Sequence, residues 1–247
     1  MTVHNVVVSW STVIDLIKSE LMSNAKPERA VFEKGYLKSE LEFLGATVPA
    51  VRKCAKRFAK EYQDLSRKDL RAFVDEMWAT HIHEVRSVAV ALLDHFSSLL
   101  RPSDLAMVRK RIIDAAGWAH VDWLAANVSG SIVLDHPECI DKLDEWAMDR
   151  SFWVRRAAML SLLQPLRLGD LSEWPRFVRY AESMVEEKEF FIRKSIGWVL
   201  RETSKRNPAP VGEFLLRNKE KCSGLTLREG AKFLEPSVRL KLGLAKT

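Results

Sequence analysis

The sequence predicts an all-α protein built from repeated helix pairs, and three observations carry that prediction. An apolar-Arg tandem recurs at Val51-Arg52, Val85-Arg86, Val154-Arg155, Ile192-Arg193 and Leu227-Arg228, at intervals of 34, 69, 38 and 35 residues. Four prolines (Pro102, Pro137, Pro175 and Pro210) keep a parallel spacing of 35, 38 and 35. No segment alternates apolar and polar residues between turn dipeptides, so no sheet is expected.

Taken in chain order, residues 9–44 read as an N-terminal capping helix pair. The 69-residue interval is a double one, and Ala119-His120 fits its missing member, giving 34, 34, 35, 38 and 35. The residues before the six anchors are Val51, Val85, Ala119, Val154, Ile192 and Leu227. Those three after are Ala55, Ala89, Trp123, Ala158, Ile196 and Ala231. All twelve are apolar and lie four apart in pairs, so each pair shares one helical face. Each of the four prolines stands 18 residues before an anchor. Proline suits the first turn of a helix and disrupts its interior. Each repeat is therefore a helix opened by proline, a short turn, and a second helix carrying the anchor. The longer 38-residue interval is absorbed by the loop Gln164–Ser172, which holds Pro165 and Gly169. Residues 236–247 read as a basic tail. Paired helices at this period define an α-solenoid of about six HEAT-like helix-pair repeats, a single domain over residues 1–247, its second helices lining a concave basic groove.

The 247 residues are 47% hydrophobic and 29% charged, an ordinary globular balance. Lys and Arg exceed Asp and Glu by 39 − 33 = 6, and residues 186–247, with 14 basic and 8 acidic side chains, hold that whole surplus. A local basic surface calls for an anionic partner. The longest charge-free stretch, Met1 to Ile14, is 14 residues, short of the ~20 that span a bilayer. The first lysine is Lys18, so no charged n-region of a secretory signal is read. The expectation is a cytoplasmic monomer with no membrane association. Cys54, Cys139 and Cys222 are far apart and form no CxxC, which argues against a disulfide framework or zinc knuckle. Phosphate-loop, dinucleotide, zincin and nucleophile-elbow motifs are absent. His81 and His83 fall on different helix faces, and His95, His120 and His136 stand isolated, so no metal or cofactor is expected.

A repeat allows one column to be compared down the chain. Two residues after the anchor it reads Cys54, Val88, Asp122, Ala157, Ser195 and Gly230. One carboxylate among small neutral residues calls for a reason, because a semi-buried Asp costs free energy unless paired. A structural ion pair and a functional acid both supply one. Two residues before the anchor the column reads Ala50, Glu84, Trp118, Trp153, Phe191 and Thr226, and Trp118 shares a helix face with Asp122. Trp198 lies four after Lys194 and three before Arg201, an aromatic between two cations. That suits phosphate and base contact, and equally a core Trp flanked by solvated bases. The anchor arginines suit pairing with carboxylates of the neighbouring repeat. Lys53, Arg156 and Lys194, one residue on, are better placed for a ligand. By residues alone the sequence describes a helical-repeat protein with an anionic partner.

Several segments resemble the bacterial DNA alkylation repair family of HEAT-like-repeat DNA glycosylases, the AlkD type. They are Gly35-Tyr36-Leu37-Lys38 with Phe43-Leu44-Gly45, Gly117-Trp118-Ala119-His120-Val121-Asp122, His136-Pro137-Glu138, Trp153-Val154-Arg155-Arg156-Ala157-Ala158 and Glu189 to Glu202. The resemblance runs over about residues 10–235. It implies excision of alkylated purines, chiefly 3-methyladenine and 7-methylguanine, from double-stranded DNA, by hydrolysis of the N-glycosidic bond and without a base-flipping pocket. It places the catalytic carboxylate at Asp122 and the lesion tryptophans at Trp118 and Trp198. Its DNA contacts fall on Tyr36, Arg156 and Arg201, and the residue pattern beside Trp198 adds Lys194 to them. The family's two consecutive tryptophans are here Gly117-Trp118. Two competing readings remain: a non-catalytic solenoid that binds bent, damaged or branched DNA, and a protein-binding HEAT scaffold.

Overall fold

The computed structural model describes residues 9–244 apart from 24 and 116. Its chain divides into two compact units. The first holds residues 1–100 and 115–120, with α1 (Trp10–Met22), α2 (Pro27–Leu37), α3 (Val48–Glu61), α4 (Arg67–Ala79) and α5 (His83–His95). The second holds residues 101–114 and 121–247. Its elements are α6 (Leu105–Asp114), the end of α7 (Trp118–Trp123), a π-helical segment (Leu124–Ser129), α8 (Gly130–Asp135), α9 (Lys142–Ala147), α10 (Phe152–Ser161), α11 (Leu163–Leu168), α12 (Trp174–Met184), α13 (Phe190–Ser204), α14 (Pro208–Arg217), α15 (Gly224–Gly230) and α16 (Pro236–Lys241). Among the described residues there is no strand, only an isolated bridge between Glu42 and Ile82. The segment read as a basic tail contains α16, and residues 245–247 lie outside the described residues.

The helices start where the sequence supplies starts. Pro102 and Pro137 open single 3-10 turns leading toward α6 and α9, Pro175 is the second residue of α12, and Pro210 lies in the first turn of α14. Thr47, Ser66 and Ser223 cap α3, α4 and α15 by accepting the backbone N–H of Ala50, Asp69 and Thr226. Such caps each contribute about 1 kcal/mol. The anchors fall on α3, α5, α7, α10, α13 and α15, the second helix of each pair. In the first unit α3 packs on α5; in the second, the π segment packs on α10, α10 on α13, and α13 on α15. Val51, Ala55, Val85, Ala89, Val154, Ala158, Ile192, Ile196 and Ala231 are buried along these contacts.

The third repeat departs from its expected register. Ala119 and Trp123 are half-buried, whereas Val121, Leu124, Ala125, Val128 and Ser129 are buried. Counted from Asp122, that pattern repeats the one around Arg52, where Val51, Cys54, Ala55, Phe58 and Ala59 are buried. Asp122, not His120, therefore occupies the arginine column of this repeat. The spacing misled because both assignments divide the same 69-residue interval, and only side-chain burial decides between them. The carboxylate thus stands where four other repeats of the second-helix series carry a partly or fully exposed arginine, outside the column of small buried residues.

The anchor arginines hold the turns that precede their helices. Arg86 donates to the Trp78 carbonyl at 2.9 Å, Arg155 to that of Asp149 at 2.8 Å, and Arg193 to that of Glu187 at 2.7 Å. Arg155 also makes the expected pair with the next repeat, meeting the Glu187 carboxylate through two nitrogens at 2.7 and 3.2 Å. His120 is not isolated: within the first unit its ring lies 4.5 Å from that of His83 and its Nε2 lies 3.0 Å from Ser87 Oγ. Burial lowers His83 to about 3 and His120 to about 4, so both rings are neutral near pH 7.

Candidate functional site

Asp122, next to the last residue of α7, is half of a bidentate ion pair. Arg156 on α10 donates Nε to Oδ1 at 2.7 Å and Nη2 to Oδ2 at 2.8 Å, while its Nη1 donates to the Phe191 carbonyl at the start of α13. The arginine side chain is 3% exposed and the aspartate 16%. Three donors fixed on two elements leave the guanidinium one orientation, and the fork matches the carboxylate plane. Aromatic rings wall this pair: Phe191 lies with its centroid 5.9 Å from the guanidinium carbon and 4.6 Å from the Trp153 ring. The π-helical segment that follows Asp122 explains how a helix here both exposes the aspartate and stays packed. Its Ser129 hydroxyl bonds to the Leu124 and Ala125 carbonyls and to Ser161 of α10 at 2.7 Å. Gly130 lets the backbones close up, since a Cβ there would meet the Ser161 carbonyl at 3.2 Å. Such π segments recur at functional sites.

A second charged cluster lies along α13. Lys194, half-buried Trp198 and Arg201 share one face, as their spacing requires. Glu229 of α15 reaches both cations, accepting from Lys194 Nζ at 2.7 Å and from Arg201 Nη1. Burial pushes the Glu229 carboxyl up, but the Lys194 hydrogen bond and the charges of Arg201 and Lys194 outweigh it and hold the group below the usual range. Arg201 also meets Glu202 at 3.3 Å.

Tyr36 and Trp118 belong to the first unit and meet there, ring edge to face, with centroids 6.0 Å apart. Tyr36 is 64% exposed and stacks on Phe32, also exposed, at 6.2 Å. Their platform is fixed by a buried acid that stands in the aromatic column. Glu84, 1% exposed, accepts the backbone N–H groups of Leu44, Gly45 and Ala46 at 3.0, 2.7 and 3.2 Å. Gly45 has φ +88°, and a Cβ on it would sit 2.2 Å from the Lys26 carbonyl oxygen just before α2. Only glycine fits, which accounts for the Phe43-Leu44-Gly45 segment.

Sequence reasoning missed Glu229, Phe32 and the carbonyl of Phe191. Glu229 carried a readable signal: it is the acidic member of a column otherwise holding Lys53, Ser87, Trp123, Arg156 and Lys194. Among the described residues no group of three or more His, Cys, Asp or Glu is placed to hold a metal ion, and no helix is long and apolar enough to cross a membrane.

Comparison with known proteins adds to this geometry. The chain matches the sequence model of the DNA alkylation repair enzyme family over residues 17–234. A solved structure described as a predicted DNA alkylation repair enzyme from Enterococcus faecalis superposes with a TM-score of 0.76 at 26% identity, covering 86% of this chain and 98% of that one. AlkD2 from Streptococcus mutans shares the fold, with a TM-score of 0.65 at 18% identity over 92% of this chain and 100% of that one. No protein with a curated description matches. With the family match spanning most of the sequence and the helix-pair fold shared with these structures, the chain belongs to the DNA alkylation repair enzyme family.

Proposed function

We propose that the protein is a DNA N-glycosylase that hydrolyses the N-glycosidic bond of cationic alkylated purines, 3-methyladenine and 7-methylguanine, in duplex DNA. The observation that carries this reading is Asp122: a carboxylate in an arginine column, just before α7 passes into the π-helical segment, oriented by a guanidinium with almost no exposure. The pair alone would also serve a scaffold; what favours chemistry is a carboxylate that stays partly exposed while its guanidinium is buried.

Alkylation at purine N3 or N7 makes the base a cation, so it leaves with the bonding electron pair as a neutral base and needs no protonation. The sugar then gains oxocarbenium character, as in glycoside hydrolysis. A carboxylate ~4 Å from that carbon contributes about 4 kcal/mol at an effective dielectric of about 20, before desolvation and before the opposing charge of Arg156. The bidentate pair occupies one lone pair on each oxygen of Asp122, and about two of its four acceptor sites remain for water. That water adds its oxygen to the anomeric carbon and gives its proton to Asp122 and thence to solvent. Trp118 and Trp198 are assigned to the lesion nucleotide, where a ring beside developing positive charge contributes roughly 0.5–2 kcal/mol. Lys194, Arg201 and Tyr36 are assigned to the phosphates. Arg156 holds Asp122: its burial and its three committed donors suit it to positioning better than to a phosphate.

The test is a duplex carrying one 7-methylguanine, with abasic sites read by alkaline strand cleavage. Release by wild type and not by Asp122→Asn is expected. A uracil duplex remains uncut, since a neutral base is a poor leaving group; rapid uracil release would sink the mechanism. Clear DNA binding with no release from the 7-methylguanine duplex by wild type would establish the non-catalytic DNA-binding reading instead.

A further inference from the structure

Helices α13 and α15 approach closely through two glycines. A Cβ on Gly197 would lie 2.7 Å from Glu229 Cβ and 3.4 Å from the Thr226 backbone; one on Gly230 would lie 3.0 Å from Leu200 Cβ. Thr226 Oγ1 ties the pair further by donating to the Arg193 carbonyl at 3.2 Å. Gly197 sits between Lys194 and Arg201, next to Trp198, and its missing side chain is what allows Glu229 to lie along α13 and reach both cations. The two cations and one carboxylate leave this face with a single net positive charge. Glu202 and Lys205, which pair with each other at 2.6 Å beside it, do not change that sum.

We propose that Glu229 is a specificity-determining residue: an internal carboxylate that takes the donors of Lys194 and Arg201 which a DNA phosphate would otherwise take, and so holds down affinity for undamaged duplex. The inference rests on the assignment of Lys194 and Arg201 to phosphates. A phosphate brought to either cation competes with Glu229 for the Lys194 ammonium and for Arg201 Nη1, and is repelled by its charge. A cation already neutralised by the protein also releases less counterion from DNA, which flattens the salt dependence. An enzyme seeking rare lesions among a large excess of undamaged sites gains from a grip that is weak on ordinary duplex.

The experiment measures binding of an undamaged fluorescent duplex by anisotropy between 50 and 200 mM salt, for wild type, Glu229→Gln, Glu229→Asp, Lys194→Ala and Arg201→Ala, with a melting curve for each. Glu229→Gln is expected to tighten binding about tenfold at the low-salt end and to steepen the log–log salt slope by about one unit. Glu229→Asp keeps the charge and is expected to keep the wild-type slope. Glu229→Ala repeats the test should the amide of Gln pair with Lys194 or lower the melting temperature. Weaker or unchanged binding by folded Glu229→Gln and Glu229→Ala would overturn the inference; if Lys194→Ala and Arg201→Ala still weaken binding, the phosphate assignment stands. Unchanged binding in both cation variants would overturn that assignment and the inference with it.

Discussion

The second unit holds two carboxylate clusters built from the same chemistry in opposite proportions. At Asp122 one carboxylate meets one guanidinium, bidentate, in a setting where Arg156 is almost fully buried, an aromatic ring lies beside the guanidinium and the carboxylate stays partly exposed. The pair is neutral and rigid. At Glu229 one carboxylate bridges two cations, the lysine 37% and the arginine 23% exposed, and the cluster stays positive. On the proposed function the first arrangement aims a carboxylate, and on the further inference the second tunes a cationic face. The two differ in the ratio of charges and in the burial of the cation.

The largest expected effect breaks the first cluster at its acid. Asp122→Asn is expected to slow single-turnover excision of 7-methylguanine at least a hundredfold, about 2.7 kcal/mol in barrier, with DNA affinity equal or higher because a negative charge is gone. A loss of affinity with an unchanged rate would exchange the roles of the two clusters.

Arg156→Ala comes next. Breaking a fully buried pair costs about 3–5 kcal/mol; Asp122 keeps some water contact, so about 2–3 kcal/mol is expected in urea unfolding. The excision rate is expected to fall with it while the salt slope of DNA binding stays at its wild-type value. A slope lower by about one would return Arg156 to phosphate contact.

The smallest effect uses the first unit as a control. His83 and His120 have folded values lowered to about 3 and about 4 from an ordinary 6.5. Below pH 6.5 the unfolded chain takes up protons that the folded chain refuses. Stability is thus fully present above that pH and falls as the pH drops toward 4, by up to about 1.4 kcal/mol per pH unit for each ring. Glu229, held below the usual carboxylate range, keeps its charge over the upper part of this window. His120→Gln should roughly halve the slope between pH 6.5 and 5. A slope unchanged in that variant would place the pH dependence on other groups.

Much of the helix-pair frame was legible because it is written in one dimension. Prolines mark helix starts, and apolar pairs four apart mark the buried face of each second helix, both local in sequence. The third repeat shows the limit: Ala119-His120 divides the interval into 34 and 35 and Val121-Asp122 into 36 and 33, so spacing favours the first, and the choice rests on which residues neighbouring helices cover. For the same reason nothing along the chain marks Glu84 as a loop anchor, since its three backbone donors come from a loop some 40 residues away.

By itself the sequence determined the helical period, the basic surplus of the C-terminal quarter and the list of side chains available for chemistry. Tertiary structure alone decided which carboxylate faces which cation: Asp122 to Arg156, 34 residues on, and Glu229 to Lys194 and Arg201, 35 and 28 residues back. Those partners are set by how closely two helix backbones approach and by the rotation of each helix about its axis. Glycines at 130, 197 and 230 and a single π turn fix both, and neither quantity can be read from spacing along the chain.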